Sequence, residues 1–559
     1  MDFKKYIAEK TAPLCAMEES ALYNLLEKPK DETMGDIAFP CFTLSKTLRK
    51  APNMIASELK DKIGTDDVIE KVCQVGGYLN FFLSRKGFAK SLIGEIDAAG
   101  ENYGKSSEGE GKTVIVEFSS PNIAKPFHIG HLFSTAVGNS LSKIYAFLGY
   151  KVERINHLGD WGTQFGKLIC AYKKWGNEEE VKKSPMAELT RIYVKFHTEA
   201  EADPSLEDEA RAEFHKLEEG DKENTKLWSW FREESLKEFM RVYDRMDVGF
   251  DSFNGEAFYS DKMDSVVSEL TEKNLLKLSD GAKIVEFPDM PPAIILKQDG
   301  STIYATRDLA AAIYRANTYH FYKNIYVVGI PQSLHFKQIF AILDMMGKPY
   351  AADCVHVGFG TVKFASGAMS TRTGNVVLLE TVISEAVKKT AEIMKANGNE
   401  GDASDTAEKI GIGAIFYTFL KNSREKDIIF DWDDILDFNG ESGPYVQYSY
   451  ARGRSVLRKE APNGEISFDY DITDEEYTLL KLLSEFSDNV RAAMAKNEPF
   501  YITRYVTAVS KAFNKFYNTA PILKAEDNVK NARLKITEAT CTVIKNALAL
   551  LGIKTVERM

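Results

Sequence analysis

The sequence lacks most of the short patterns by which a chain of this size declares its chemistry. Its six cysteines stand at 15, 41, 73, 170, 354 and 541, and no two form a C-x-x-C pair, which argues against a disulfide framework and against a cysteine zinc site. They read as free thiols in a reducing cytosol. No run of about 18 apolar residues occurs, and the opening "MDFKKYIAEKTAPL" has acids too early and no apolar core. Neither a membrane span nor a secretory leader is indicated. No G-x-G-x-x-G follows a strand pattern, which removes the usual dinucleotide fingerprint. "SEGEGKT" ends like a phosphate-binding loop, but Ser106 stands where that pattern needs glycine and a strand pattern follows it instead of a helix. Histidine is scarce as well, with eight in 559 residues.

What is present is a globular composition, 44% hydrophobic and 27% charged, enough for about three or four domains at roughly 150 residues each. The net charge of -11 means that any polyanion must be met by local basic patches. Residues 1–104 mix short helical and extended runs and end in the strand pattern "GGYLNFFLS" followed by a helix, an α+β domain. "GENYGKSSEGEGK" is a linker. Within 105–440, "TVIVEFSS" (113–120) reads as a buried strand, "HLFSTAVGNSLSKIYAFLGY" as a helix and "KVERINHL" as a second strand. Strand, turn, helix, strand opens a doubly wound parallel-sheet (Rossmann-type) α/β domain, whose ligands sit at the carboxyl ends of the strands. "NIYVVGIPQ" and "CVHVGFG" continue it, and the charged stretch 172–245 reads as a helical insertion with a solvated surface. Over 441–559 the strand signal fades. Apolar stripes at 479–490, 502–516 and 536–551 predict an all-α helical bundle.

Two of the eight histidines, His128 and His131, fall three residues apart on the turn after the first strand. At a helix mouth their imidazoles and the free N–H groups of the first turn can converge on one anion, such as a phosphate chain. An arbitrary H-x-x-H is more often a surface pair or a zinc fragment. Here Gly130 permits close backbone approach, Lys125 adds a cation, and a buried strand precedes the turn, so nucleotide binding is favoured.

With "SSPNIAKPFHIGHL" (119–132) and "GDWGTQFG" (159–166), the chain closely resembles the arginyl branch of the class I aminoacyl-tRNA synthetases. The resemblance continues through "YATRDLAAA", "VVGIPQSLHFKQ", "GAMSTRTGNVVLL", "SGPYVQYSYARGRSVLRK" and "LALLGIKTVERM". It implies a two-step ligase reaction: ATP and L-arginine form arginyl-adenylate and pyrophosphate, then the acyl group passes to the terminal adenosine of tRNA(Arg). It implies an N-terminal tRNA-recognition domain and a C-terminal anticodon-binding bundle. It sets Glu256, Tyr304, Asp308 and Gln332 around the guanidinium, and Ser120, Asn122 and His131 on the amino and carboxylate groups. Around ATP it sets His128, Gly130, His131, His157, Gly159, Asp160, His335, Gln338, Met369 and Ser370. Mg²⁺ accompanies ATP and no zinc is expected. The loop 368–374 departs from the lysine-bearing form, with Ala368 and Thr371 at the lysine positions. Lys125 then becomes the first candidate for the missing catalytic charge and Arg372 the second.

The residues support such a substrate on their own terms. A guanidinium presents a planar fork of donors, so its pocket needs carboxylates and neutral acceptors. Tyr304 and Asp308, four apart, share one face if helical. For tRNA, six Lys/Arg against one acid over 491–524, interleaved with aromatics, offer a basic face, although core packing is the expected role of Phe513 and Phe516. The resemblance places tRNA contacts at Tyr448, Tyr450, Arg452, Arg454, Arg458 and Lys459. A cytoplasmic monomer is expected. The rival readings are a smaller class I-like nucleotidyltransferase and a non-catalytic tRNA-binding paralogue. The first would need neither the carboxylate set nor the bundle, and the second would have lost active-site residues.

Overall fold

The computed structural model describes residues 3–29, 31–123, 125, 127–364, 378–396 and 404–559. Its centre is a four-stranded, wholly parallel sheet in the order Cys354–Phe359, Lys323–Gly329, Thr113–Glu117, Lys151–Ile155. The chain leaves the Thr113 strand towards one edge and later returns to its other side, so the order reverses between the Thr113 and Lys323 strands. Such a reversal opens a crevice at the carboxyl ends of the two strands. The turns that begin at 118 and at 330 both lie there.

The charged stretch read as an insertion is helical, and the helices begin before residue 172. Five helices run from Thr163–Trp175 to Lys222–Met246, and their apolar stripes, including Phe165, Leu189, Phe196 and Phe231, are buried. The N-terminal unit is a three-stranded antiparallel sheet, Ile37–Pro40, Tyr78–Leu83, Ile69–Val75, packed on helices that include Pro52–Ile63 and Arg85–Ala99. The stretch after it is not a free tether. Tyr103 is buried, donates its hydroxyl to the Leu483 carbonyl at 3.1 Å and stacks on Phe486, while Gly109 donates to the Leu148 carbonyl.

The C-terminal region is the expected bundle, with one correction. The stripe 479–490 belongs to two helices, Asp474–Ser484 and Phe486–Lys496, because Glu485 turns the chain with ψ near 0°. The other two stripes lie within Phe500–Thr519 and Asp527–Leu550, and Phe513 and Phe516 are fully buried. The bundle shares its core with the catalytic unit. Ser140 donates to the Leu550 carbonyl at 2.8 Å, the Tyr145 hydroxyl to Asn497 at 2.9 Å, and the Gln447 amide to the carbonyls of Lys409 and Lys554. Deleting it from about residue 440 would strip the buried face of the helix Ile129–Phe147, so such a truncation reports folding and not function.

Candidate functional site

The site starts in a strained reversal. Ser119 and Ser120 both adopt left-handed backbone, with φ of 71° and 46°, a conformation that costs a side-chain-bearing residue of order 1 kcal/mol and persists only when its surroundings enforce it. Here they do. The Ser119 N–H donates to Ser134 Oγ at 3.0 Å, its hydroxyl lies 2.6 Å from the Tyr243 hydroxyl, and the Ser120 N–H donates to Asn156 Oδ1 at 3.2 Å. The Ser120 hydroxyl is buried and has no partner among the described residues. Asn122 bridges to Gly159. A Cβ at 159 would meet Asn122 Oδ1 at 2.3 Å, so glycine is required there for two strand-end loops to touch.

His128 is the N-cap of the helix Ile129–Phe147. Its Nδ1 accepts from the Gly130 N–H at 3.1 Å, and Nδ1 of His131 accepts from the His128 N–H at 3.2 Å, a reciprocal box built from two imidazoles. This modifies the sequence expectation. Two N–H groups read as open to an anion are taken by the histidines themselves. In exchange, an accepting Nδ1 leaves the proton of each neutral ring on Nε2, so each imidazole keeps one donor for a phosphate oxygen. Burial lowers both pKa values, that of His131 to about 3 with His128 adding to the effect. The pair therefore offers neutral donors at pH 7, and a cation must come from elsewhere.

The close approach that Gly130 permits is that of His128, because a Cβ there would sit 2.8 Å from the His128 ring. Gly130→Ala should displace the ring. Stability should hardly change, since a lost cap costs about 1 kcal/mol and alanine regains a similar amount of helix propensity. Activity should fall roughly 10- to 100-fold, the usual effect of a misplaced binding group. Thermal melting beside an ATP-pyrophosphate exchange assay with tRNA present separates the two, and a melting loss as large as the activity loss would refute the argument.

On the facing wall, Tyr304 opens the helix Tyr304–Tyr319 and is 57% exposed, which excludes a core role. Asp308, one turn on, lies 2.6 Å from His335 Nε2, and the Tyr304 ring centroid is 4.8 Å from that of His335. Burial raises the Asp308 pKa, but the His335 hydrogen bond and the charges of His335, His157 and Arg315 outweigh it and hold the carboxylate below its usual range. Glu256 approaches from the turn after the insertion, its N–H fixed on the Leu158 carbonyl at 2.9 Å. Burial pushes it up to about 7, with Asp308 and Asp160 adding and Arg307 opposing. Gln332 is exposed at the N-terminus of the helix Ser333–Met345.

Several expected positions need correction. Asp160 is 1% exposed, and its carboxylate is committed to Arg232 Nε at 2.8 Å and the Ala257 N–H at 2.9 Å. It fastens the insertion to the site instead of lining an open nucleotide pocket. The Gln338 amide donates to the Pro291 carbonyl at 2.8 Å. His335, expected beside ATP, belongs at least as much to Asp308. Met369, Ser370 and Arg372, with Ala368 and Thr371, lie outside the described residues. Two residues were missed. Arg315 is completely buried, 2.5 Å from Glu117 and 3.3 Å from His157 Nδ1; a glutamate ending the apolar run "TVIVE" was the available signal. Arg307 pairs with Glu256 at 3.1 Å.

The basic surface on the bundle is also less simple than its composition. Tyr450 is buried and donates to Glu557, and Arg454 and Arg458 also bind Glu557. These residues, four apart, form one row facing the C-terminus. The other row is more open: the Arg452 guanidinium lies 4.8 Å from the ring of Tyr448 and 4.9 Å from that of Tyr517, both partly exposed. Lys459 is exposed at the helix end. Within 491–524, Arg491, Lys511 and Lys515 are ion-paired with Glu108, Glu441 and Glu475. Exposed pairs of this kind are worth about 0–1 kcal/mol, so phosphates can replace the carboxylates.

Residues 1–83 match the family model described as arginyl tRNA synthetase N terminal domain, 93–432 that of tRNA synthetases class I (R), catalytic domain, and 446–559 that of the DALR anticodon binding domain. Among curated proteins, the chain is 56% identical to an arginine–tRNA ligase of Clostridium botulinum and 54% identical to one of Clostridium kluyveri, with 100% of each chain covered in both comparisons. Among solved structures it resembles Thermus thermophilus arginyl-tRNA synthetase, with a TM-score of 0.83, 24% identity and 100% of both chains covered. It also resembles that of Plasmodium falciparum, with a TM-score of 0.80, 24% identity and 99% and 98% covered. At that identity the structural likeness bears on the fold.

Proposed function

The chain belongs to the arginyl-tRNA synthetase family, and from that premise we propose how its residues divide the work of an arginine–tRNA ligase. It is an aminoacyl-tRNA ligase that uses ATP to join arginine to tRNA(Arg). The observation that carries the reading of the pocket is the carboxylate pair. Asp308 is ionised and fixed by His335, with Glu256 close enough for its titration to feel Asp308, at the crevice where the strand order reverses. Two carboxylates on neighbouring segments, with Glu256 tied through Arg307 to the helix that carries Asp308, suit the planar donor fork of a guanidinium.

Tyr304, Asp308, Glu256 and Gln332 are proposed to hold the guanidinium, and Ser120, Asn122 and His131 the amino and carboxylate groups. The unpartnered Ser120 hydroxyl is a ready donor or acceptor there. His128 and His131 donate Nε2–H to the phosphates, the His128 ring seated against Gly130 and the Asn122 side chain against Gly159, and His157, 3.3 Å from Arg315, is proposed to line the same site. As the arginine carboxylate attacks the α-phosphate, charge develops on phosphate oxygens, so fixed donors and cations should provide most of the acceleration. Mg²⁺ is proposed to enter with ATP, where it would offset phosphate charge; among the described residues no three His, Cys, Asp or Glu side chains converge to hold a metal. Domain limits of 1–104, 105–440 and 441–559, a monomeric state and a cytoplasmic location belong to the same proposal. Among the described residues no helix is long and apolar enough to cross a membrane.

A charging assay with purified tRNA(Arg) and a panel of amino acids tests this reading. Arginine alone should be esterified, and equal transfer of lysine or citrulline would refute the pocket. The family resemblance adds that adenylate formation waits for tRNA, so pyrophosphate exchange should be silent in an RNase-treated preparation and appear on adding tRNA. Rapid exchange without tRNA would sink that expectation. A non-catalytic paralogue would show neither activity, and a smaller nucleotidyltransferase would show exchange indifferent to arginine and tRNA.

A further inference from the structure

Arg307 places a guanidinium of the protein's own beside the pocket read as a guanidinium site. Its Nη1 lies 3.1 Å from Glu256 Oε2, its side chain is 11% exposed, and its Nε is buried with no partner among the described residues. The two partners come from opposite walls. Glu256 is set by the strand-end loop, through its N–H on the Leu158 carbonyl and through Gly255, where a Cβ would meet that same carbonyl at 2.4 Å. Arg307 rides on the helix Tyr304–Tyr319, next to Asp308. We propose that Arg307 is a positioning residue for substrate specificity: it braces Glu256 across the arginine pocket, favouring the charged carboxylate and aiming it so that it can accept from the substrate's guanidinium. The inference rests on the arginine-pocket reading given above.

Charge counting supports it. The groups that face Glu256 are Arg307 and Asp308 on the helix and Asp160 in the loop. Asp160 is neutralised by Arg232, and Asp308 is held by His335. Glu218, from the insertion, lies within electrostatic reach of Arg307. Two carboxylates and one internal guanidinium leave the pocket one negative charge, which matches a substrate carrying one positive charge. Without Arg307, a half-buried carboxylate beside two others would take up a proton, and a neutral acid is a poorer acceptor and a competing donor. Binding of an isosteric neutral side chain would then be penalised less.

The test is steady-state charging by the full-length enzyme with saturating tRNA and ATP, at pH 6.5 to 8.5, with arginine and with its uncharged isostere citrulline. Arg307→Met should raise the KM for arginine tenfold or more at pH 7, with kcat changed less and the KM for ATP unchanged. The defect should shrink as pH rises, because Glu256 then ionises unaided, and discrimination against citrulline should fall. Arg307→Lys should restore most of the affinity. In the double variant Arg307→Met/Glu256→Gln the loss should be no greater than for Glu256→Gln alone. If the Met variant fails to fold, Arg307→Gln provides the same pH profile. A KM for arginine within twofold of the parent, or a loss independent of pH, overturns the inference. If Asp308→Asn is impaired while Arg307→Met is not, the pocket stands and the brace falls; if Glu256→Gln and Asp308→Asn are also harmless, both fall.

Discussion

Lys125→Met should slow arginyl-adenylate formation by about 10² to 10³-fold, the effect of removing one preorganised positive partner of a transition-state oxyanion. The histidine pair cannot supply that charge, because both rings are held neutral. Lys125 is half-buried, and burial lowers the pKa of its ammonium. No carboxylate pairs with it among the described residues, while its charge is felt by His131. A partly desolvated cation without an internal counter-charge, beside the nucleotide histidines, is completed by an incoming triphosphate. Its backbone is pinned by an N–H bond to the Asn122 carbonyl at 3.3 Å, and the following proline restricts its conformation. The loss should therefore appear in the single-turnover rate more than in the KM for ATP, with tRNA binding unchanged and Arg372→Met less severe. Near-parental activation by Lys125→Met together with a crippled Arg372→Met would return the missing charge to the loop.

Asp308→Asn should lower kcat/KM for arginine to a similar degree, because breaking a buried ion pair costs about 3 to 5 kcal/mol. The amide oxygen can still accept from His335, so the helix and its neighbours should keep their positions and melting should move little. The effect is then chemical: one negative charge is lost opposite the guanidinium. The pH dependence separates the two carboxylates. Asp308 is held below the usual range and stays ionised well below neutrality, whereas Glu256 is raised to about 7. Arginine use by the parent should therefore rise with pH through that value, following the ionisation of Glu256. If kcat/KM for Asp308→Asn stays within threefold, a loss below about 0.7 kcal/mol, the pocket assignment is wrong.

The architecture was legible because it is written in local periodicity. The run "TVIVE" between a glycine-rich stretch and a helical pattern specified the first strand, the stripes at 502–516 and 536–551 specified two bundle helices, and the i,i+4 spacing of Tyr304 and Asp308 placed them on one face. The ordered motifs around His128 and His131 identified the family, because no local physics requires that many separate segments to agree. The sequence by itself thus determined the fold class, the turn that carries the site, and the pocket's need for carboxylates.

Partnership was decided only by tertiary structure. Nothing in the sequence says that Arg307 pairs with Glu256, 51 positions away, and not with its neighbour Asp308, or that Asp308 takes His335 instead. Nor does it show that Tyr450 is buried while Tyr448 is open. The same holds for Asp160, whose motif position suggested a ligand and whose burial makes it a fastening. The physical reason is range. Periodicity and turn chemistry act over a few residues and are recorded where they act. The pKa of a carboxylate, the tautomer of a histidine and the availability of a cation depend on charges and burial contributed by distant segments, which meet only when the chain is folded.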